Sequence, residues 1–149
     1  MTNLWTLAFG FRGRIGRTMY WLGALLFAVD WLILWIAFFT LPAGFLGASV
    51  GFVGVIVGFW LVFAIVIKRL HDRDKSGWFT LLYLLVPGVL QAISEKAGRT
   101  QPLAIIVYVA GLALAIWAAV ELGFLCGTVG PNRYGPDPLD RAAAPVETT

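Results

Sequence analysis

The stretch MYWLGALLFAVDWLILWIAFFTL, at positions 19–41, decides the fold because it is 23 residues long and carries a single charge, Asp30. A helix rises about 1.5 Å per residue, so about 20 apolar residues cross a hydrocarbon core that is roughly 30 Å thick. Three further apolar runs follow, at positions 43–67, 77–93 and 103–125. The sequence therefore predicts an all-α, polytopic membrane helix bundle with four transmembrane helices.

The composition favours a membrane protein and excludes two other classes. Of the 149 residues, 60% are hydrophobic and 13% are charged, and the mean hydropathy is +0.84. An average soluble domain is about 45–50% apolar and about 25% charged, so a water-soluble fold could not cover this much apolar surface. An intrinsically disordered chain would be far less apolar. We expect one membrane domain over 1–140 and a disordered tail over 141–149.

Basic residues set the expected orientation, because short cytoplasmic connections carry an excess of lysine and arginine. With four spans, nine basic residues lie on one side of the membrane and two on the other, so we expect both termini in the cytoplasm. The placement of basic residues in cytoplasmic connections also explains the net charge of +3, so this charge is not taken as a sign of nucleic-acid binding. The nine basic residues are Arg12, Arg14, Arg17, Lys68, Arg69, Arg73, Lys75, Arg133 and Arg141.

An amphipathic pattern precedes the first apolar run. Leu4, Leu7, Ala8 and Phe11 recur at helical spacing. Such spacing predicts a short amino-terminal interfacial helix, which would lie in the headgroup region ahead of the first span.

Four glycines of the second run, Gly47, Gly51, Gly54 and Gly58, form two Gly-x-x-x-Gly pairs that are seven residues apart. They lie roughly on one helical face, where small residues let helix backbones approach closely. We expect this face to pack against another helix of the same chain. A seam between two copies of a homo-oligomer is the alternative.

Two acidic residues fall inside the apolar runs. Asp30 lies near the bilayer midplane, where a carboxylate costs about 2.5–3.5 kcal/mol. Because no basic residue occurs in any run, we expect Asp30 to be protonated, or hydrogen-bonded to an indole such as Trp60 or Trp117 or to a partner protomer. An ion or proton site is the alternative. Glu121 lies near the cytoplasmic end of the fourth run, from which it can reach a basic loop.

The connection RLHDRDKSGW, at positions 69–78, is the densest polar cluster. One histidine with two aspartates is too few for a zinc site, and His71 with Ser76 lacks the context of a Ser-His-Asp hydrolase. The single Cys126 provides neither an internal disulfide nor metal-ligand spacing. We therefore assign no catalytic residue, metal or cofactor, and we expect a solvated turn whose charges pair locally. Binding of a lipid headgroup or a partner is the alternative, and catalysis is the third interpretation.

Three segments, taken in order, resemble a known family. They are FRGRIGR with Tyr20-Trp21 at 11–21, RLHDRDKSGW at 69–78, and GTVGPNRYGPDP at 127–138. Together they resemble the small bacterial inner-membrane proteins of domain-of-unknown-function family 805, the YhaH/YhaI type. The resemblance implies a multi-pass protein of the bacterial inner membrane with no established activity, and it supplies no catalytic residues.

With the tail in the cytoplasm, all three segments share one face of the membrane. We therefore expect Asn132, Arg133 and Tyr134 to dock against the turn at 71–75, and we suggest Arg133 with Asp72 as the pair to test.

These observations favour a non-enzymatic inner-membrane protein whose cytoplasmic basic face contacts anionic lipid headgroups or a protein partner. Each juxtamembrane base gains about 1 kcal/mol from an anionic leaflet. A small transporter or channel subunit that uses Asp30 is the alternative, and a membrane enzyme that acts on a lipid headgroup comes third. The candidates for lipid or partner binding are Arg12, Arg14, Arg17, Lys68, Arg69, His71, Asp72, Arg73, Lys75, Asn132, Arg133 and Tyr134.

Overall fold

A computed structural model describes residues 9–42, 44–98 and 101–139. Within these ranges the only extended pairing is an isolated bridge between Asn132 and Gly135. The predicted all-α fold is therefore confirmed, and each predicted apolar run overlaps one helix. The four helices are α1 (Arg17–Thr40), α2 (Phe45–Asp72), α3 (Phe79–Ala97) and α4 (Pro102–Gly123).

Three of these helices, α1, α2 and α4, are long and apolar enough to cross a membrane. The third, α3, has 19 residues, and its last two turns carry Gln91, Ser94, Glu95 and Lys96. Pro87 lies inside α3, and the helix continues beyond it to Ala97. Length and composition therefore support three membrane helices directly.

Two sequence predictions concern residues at the ends of the chain. Leu4, Leu7 and Ala8 of the predicted interfacial helix lie outside the described residues, as does the predicted disordered tail at 141–149. Phe11 is described and is not helical. Its ring packs edge-on against Trp60 of α2, with the ring centroids 5.0 Å apart.

The polar connection at 69–78 is not wholly a turn, because α2 continues through it to Asp72. The helix ends where Asp74 adopts a left-handed backbone conformation with φ of 54°. There the N–H of Asp74 donates to the His71 carbonyl at 3.1 Å, and the N–H of Lys75 donates to the Leu70 carbonyl at 2.9 Å. These two bonds form a Schellman C-cap, with aspartate at the position that glycine usually occupies.

The helices form two hairpins, since α1 packs mainly on α2 and α3 mainly on α4. Two glycines of the predicted packing face lie against α1. A Cβ atom on Gly54 would come within 2.3 Å of Leu34, and one on Gly58 within 2.6 Å of the Asp30 carboxylate. Gly51 faces open space, whereas a Cβ on Gly47 would lie 2.9 Å from the Pro42 carbonyl oxygen.

The two ends of the bundle differ in packing. At the opposite end from the polar connection, large apolar side chains are exposed, with Phe38 80% and Phe45 91% accessible, as expected of residues that face lipid. Most of the buried apolar residues lie toward the end where α1 begins and α2 ends. They form two clusters, Val66, Leu70, Tyr83, Ala118 and Leu122, and Ile15, Leu61 and Ile65.

Candidate functional site

The carboxylate of Asp72 lies between two arginine side chains from different segments. Arg14 donates to Oδ1 from Nε at 3.2 Å and from Nη2 at 3.1 Å. Arg69, one helical turn before Asp72, donates from Nη1 to Oδ2. None of the three side chains is more than 4% exposed. A buried charge is tolerated only when it is paired and hydrogen-bonded, and this group meets both conditions.

Arg14 also binds the segment that follows α4. Its guanidinium donates to the carbonyl oxygens of Thr128 at 2.6 Å, Gly130 at 2.7 Å and Gly135 at 3.3 Å. Thr128 donates in turn to the Asp72 carbonyl oxygen, from its backbone N–H at 2.8 Å and from its hydroxyl at 3.0 Å. A single arginine therefore joins all three family-like segments.

Gly127 is the place where the tail passes closest to this ion pair. A Cβ atom at this position would lie 2.0 Å from Oδ2 of Asp72. No side chain fits there without moving the carboxylate or the tail. The glycine is therefore required by the close approach of backbone to carboxylate.

The carboxyl end of α4 is capped by side chains from α1 and α2 and by Arg73, the residue after α2. Arg69 donates to two carbonyl oxygens, that of Leu122 at 2.7 Å and that of Leu125. Trp21 donates to the carbonyl of Gly123, and Arg17 donates to that of Phe124. Arg73 donates to the carbonyl of Cys126. Five consecutive carbonyl groups, two in the last turn of α4 and three just after it, thus each accept a side-chain donor. The last carbonyls of a helix lack partners within the helix, and cations are favoured at this end of its dipole.

Glu121 is the second buried acid, and its side chain is 1% exposed. It accepts from Arg73 at 3.0 Å and from Lys75 on Oε1, and from the Tyr83 hydroxyl at 2.8 Å on Oε2. Burial lowers the pKa of Lys75, but its hydrogen bonds to Glu121 and Tyr83 outweigh burial, so the pKa is raised. Glu121 therefore contacts basic residues of a loop, as expected, because Arg73 and Lys75 both lie in the connection after α2.

Three successive tail residues, at 132–134, also dock against the end of α2. Tyr134 stacks on His71 with ring centroids 3.9 Å apart and an interplanar angle of 7°. Asn132 donates from Nδ2 to the His71 carbonyl oxygen at 2.9 Å. Arg133 pairs with Asp74 at 3.0 Å rather than with Asp72, the partner suggested from the sequence. The predicted docking of tail on turn is present, with a different acid in the exposed pair.

These residues form one polar assembly, which we call the polar cap: residues 11–17, 68–77 and 121–139. The prediction of a solvated turn with local pairs was wrong for its inner half. Lys68, Arg69 and Asp72 are buried, and most partners of the cap charges are more than 45 residues away. Sequence reasoning also missed Thr128 within the cap, and Tyr83 and Trp21 as hydrogen-bond partners of the cap, because only the packed helices bring them together.

The cap geometry argues against the third interpretation, an enzyme that uses His71 and Asp72. The Asp72 carboxylate is occupied by Arg14 and Arg69, whereas Nδ1 of His71 donates to the Gly13 carbonyl oxygen at 3.3 Å. A histidine–aspartate dyad is therefore not formed. Within the described ranges, no group of three or more histidine, cysteine or acidic side chains is arranged to hold a metal ion.

Asp30 lies apart from the cap, in the middle of α1. Its Oδ2 atom is buried and has no hydrogen-bond partner among the described residues. The expected bond from Trp60 or Trp117 to this oxygen is therefore absent. Trp60 instead packs against Phe11.

The chain matches a known protein family over most of its length. The family described as protein of unknown function (DUF805) matches residues 8–136. The chain belongs to the DUF805 family. The resemblance inferred from the three segments is confirmed, and the same three segments build the polar cap. A DUF805 chain of this kind thus uses its most distinctive sequence for a buried ion-pair assembly.

Three Escherichia coli K12 proteins illustrate the DUF805 relationship. The uncharacterized protein YiiR is 30% identical over 148 residues, covering 89% of this chain and 88% of its own length. Inner membrane protein YhaI is 31% identical over 129 residues, covering 87% and 86%, and inner membrane protein YhaH is 31% identical over 133 residues, covering 87% of each chain. No solved structure matches this DUF805 chain. The relatives and the three apolar helices together make it a membrane protein of a family without assigned activity.

Proposed function

We propose that this protein crosses the inner membrane four times and presents its polar cap to anionic lipid headgroups at the cytoplasmic surface. The fourth crossing would be α3. Its 19 residues span about 28 Å, close to the roughly 30 Å of a hydrocarbon core. With α3 across the membrane, the cap and both termini share one side, and the preference of basic connections for the cytoplasm gives the orientation.

The observation that carries this proposal is the excess of positive charge on the cap, because its basic residues outnumber the acidic residues that pair with them. The cap holds eight lysine and arginine residues against four aspartate and glutamate residues. Most of the basic residues that the sequence predicted to bind lipid instead bind Asp72, Glu121, Asp74 or the end of α4. They therefore stabilise the fold and are not available to a lipid headgroup. Arg12 and Arg17 are exposed beside the first turn of α1, and Arg17 makes one long hydrogen bond to Phe124. They are the proposed headgroup contacts.

Cys126 offers a direct readout of lipid at the cap, because it is exposed and is the single cysteine of the chain. Bimane-labelled protein would be placed in bilayers in which either phosphatidylglycerol or phosphatidylcholine carries brominated acyl chains. We expect stronger quenching by brominated phosphatidylglycerol, and Arg12→Gln should reduce this preference. Lys96→Gln, an equal charge change at the other end of α3, is the control that should leave it unchanged. Equal quenching by the two lipids would refute headgroup selection.

The orientation has its own test. An impermeant thiol reagent should label Cys126 only after spheroplasts are permeabilised. In a Cys126→Ser background, Gln101→Cys at the opposite end of the bundle should be labelled in intact spheroplasts. The reverse pattern would place the cap outside the cytoplasm.

A further inference from the structure

A cavity of about 260 Å³ lies between α1, α2 and α3, away from the polar cap. Its walls are apolar side chains, among them Phe27 and Trp31 of α1, Phe59 and Val62 of α2, and Leu84 of α3. It is larger than the ~150 Å³ apolar cavity that takes up benzene in an engineered protein. Trp31 and Phe59 are each at least half exposed, so the cavity opens toward the surface that lipid would cover.

Asp30 is the acid in this cavity wall. Its Oδ2 atom is buried without a hydrogen-bond partner, and no basic side chain lines the cavity within the described part of the chain. Opposite it, Gly58 leaves the space that a Cβ atom would take, 2.6 Å from that oxygen. A buried carboxyl oxygen without a partner is a net cost, so the site is completed by a group that donates a hydrogen bond or carries positive charge.

We propose that this cavity binds an aliphatic amine that enters from the hydrocarbon core of the membrane. The alkyl chain fills the apolar walls, and the amine nitrogen meets the Asp30 carboxyl. A neutral amine can cross the hydrocarbon and take the carboxyl proton onto nitrogen, which leaves an ammonium–carboxylate pair and requires no other reactant. Charge complementarity selects an amine over a neutral lipid chain, because an alkane leaves the Asp30 oxygen unpaired.

Protection from carbodiimide tests the proposal on the intact chain. Dicyclohexylcarbodiimide adds to a carboxyl group and rearranges to a stable N-acylurea, which peptide mass spectrometry locates at Asp30; Asp30→Asn defines the background. N,N-dimethyloctylamine is the probe, since a primary amine would itself be coupled as an amide. Its control is 2-methyldecane, which has the same shape with carbon in place of nitrogen.

We expect the amine to halve labelling of Asp30 at a concentration at least tenfold below that of the alkane, with both expressed as mole fraction in the bilayer. Equal protection by amine and alkane would overturn the proposal, because the cavity would then recognise shape alone. Absence of Asp30 labelling without ligand would also overturn it, because the carboxyl would not be reachable from the membrane.

Two glycine variants locate the site independently. Gly58→Ala places a methyl group against the Asp30 carboxylate and should abolish the advantage of the amine. Gly51→Ala, on the same helix, meets nothing within 4 Å and should retain it. Equal behaviour of the two variants would contradict the assigned site. If Gly58→Ala does not fold, the comparison of amine with alkane on the unaltered chain still decides.

Discussion

The two buried acids of the polar cap and the acid in the middle of α1 have opposite surroundings in the same protein. Asp72 and Glu121 each receive two basic side chains and are almost wholly inaccessible. The Oδ2 atom of Asp30 receives no donor among the described residues, and a glycine and an apolar cavity surround it. The first arrangement joins distant segments, whereas the second leaves an unfilled site.

This contrast separates stability from recognition. Removing one member of a buried, paired group leaves the others without a counter-charge, which is strongly destabilising. Removing an unpaired carboxyl leaves no other group without its partner. Variants at the buried ion pairs of the cap should therefore act on folding, and variants at Asp30 should act on ligand binding with little change in stability.

The largest expected effect is at Asp72. Asp72→Asn should lower the free energy of unfolding by about 3–5 kcal/mol, because Arg14 and Arg69 stay buried without their shared carboxylate. Asp30→Asn, the matched change in α1, should alter it by less than about 1 kcal/mol. Reversible unfolding by sodium dodecyl sulfate, followed by circular dichroism, would measure both. Equal losses in the two variants would remove the contrast.

A smaller effect is expected at Gly127. Gly127→Ala should cost about 1–3 kcal/mol, because the added methyl group collides with the Asp72 carboxylate. Gly51→Ala faces open space on a helix, where alanine is favoured over glycine by about 1 kcal/mol, so it should be neutral or stabilising. The same unfolding assay distinguishes the signs. A Gly127→Ala protein as stable as the Gly51→Ala protein would show that the tail does not pass this close to Asp72.

The exposed pair Arg133–Asp74 should contribute less. Its side chains are 60% and 46% exposed, and such pairs contribute about 0–1 kcal/mol. A double-mutant cycle with Arg133→Gln and Asp74→Asn isolates the coupling, and asparagine also tolerates the left-handed backbone at this position. Coupling as strong as that of the buried pairs would show that solvent does not screen this part of the tail.

The smallest effect should appear only in acid. The backbone N–H groups of Leu139 and Gly130 bind the Asp137 carboxylate and hold its pKa below the usual 3.8. Because the pKa of Asp137 is lower in the folded state, the ionised carboxylate stabilises the fold at pH values above its ordinary pKa. This contribution is lost as the pH falls through the pKa of the folded state. Asp137→Asn should therefore show a smaller drop in melting temperature between pH 6 and pH 3 than the unaltered protein. Identical drops would exclude this contribution.

The helices and the docking of the tail could be predicted from the sequence, and most pairings in the cap could not. Apolar runs of about 20 residues identify helices directly, and the expectation that the three segments share one membrane face predicted Tyr134 near His71. Which base meets which acid depends on how four helices pack. Arg14 meets Asp72 across 58 positions, and no local pattern encodes that distance. The preference of basic residues for one membrane face predicts the side of the membrane on which they lie. It does not predict which groups they hydrogen-bond.

Some cap features leave weak local signals. Gly127 lies four residues after the end of α4, and Asp74 occupies a position where glycine is usual, so both indicate backbone constraints. The five capped carbonyl groups at and just after the end of α4 leave no such signal, because their donors come from α1, from α2 and from Arg73.

The coupling energy between Arg14 and Asp72 tests most directly whether buried ion pairing holds the three segments together. Arg14→Gln, Asp72→Asn and the double variant would be unfolded under the same conditions as the unaltered protein. We expect the double variant to lose about 2–3 kcal/mol less than the sum of the single losses, because residues in one ion-pair network are non-additive. Losses that add to within about 0.5 kcal/mol would mean that Arg14 and Asp72 act independently and that the polar cap is not one assembly.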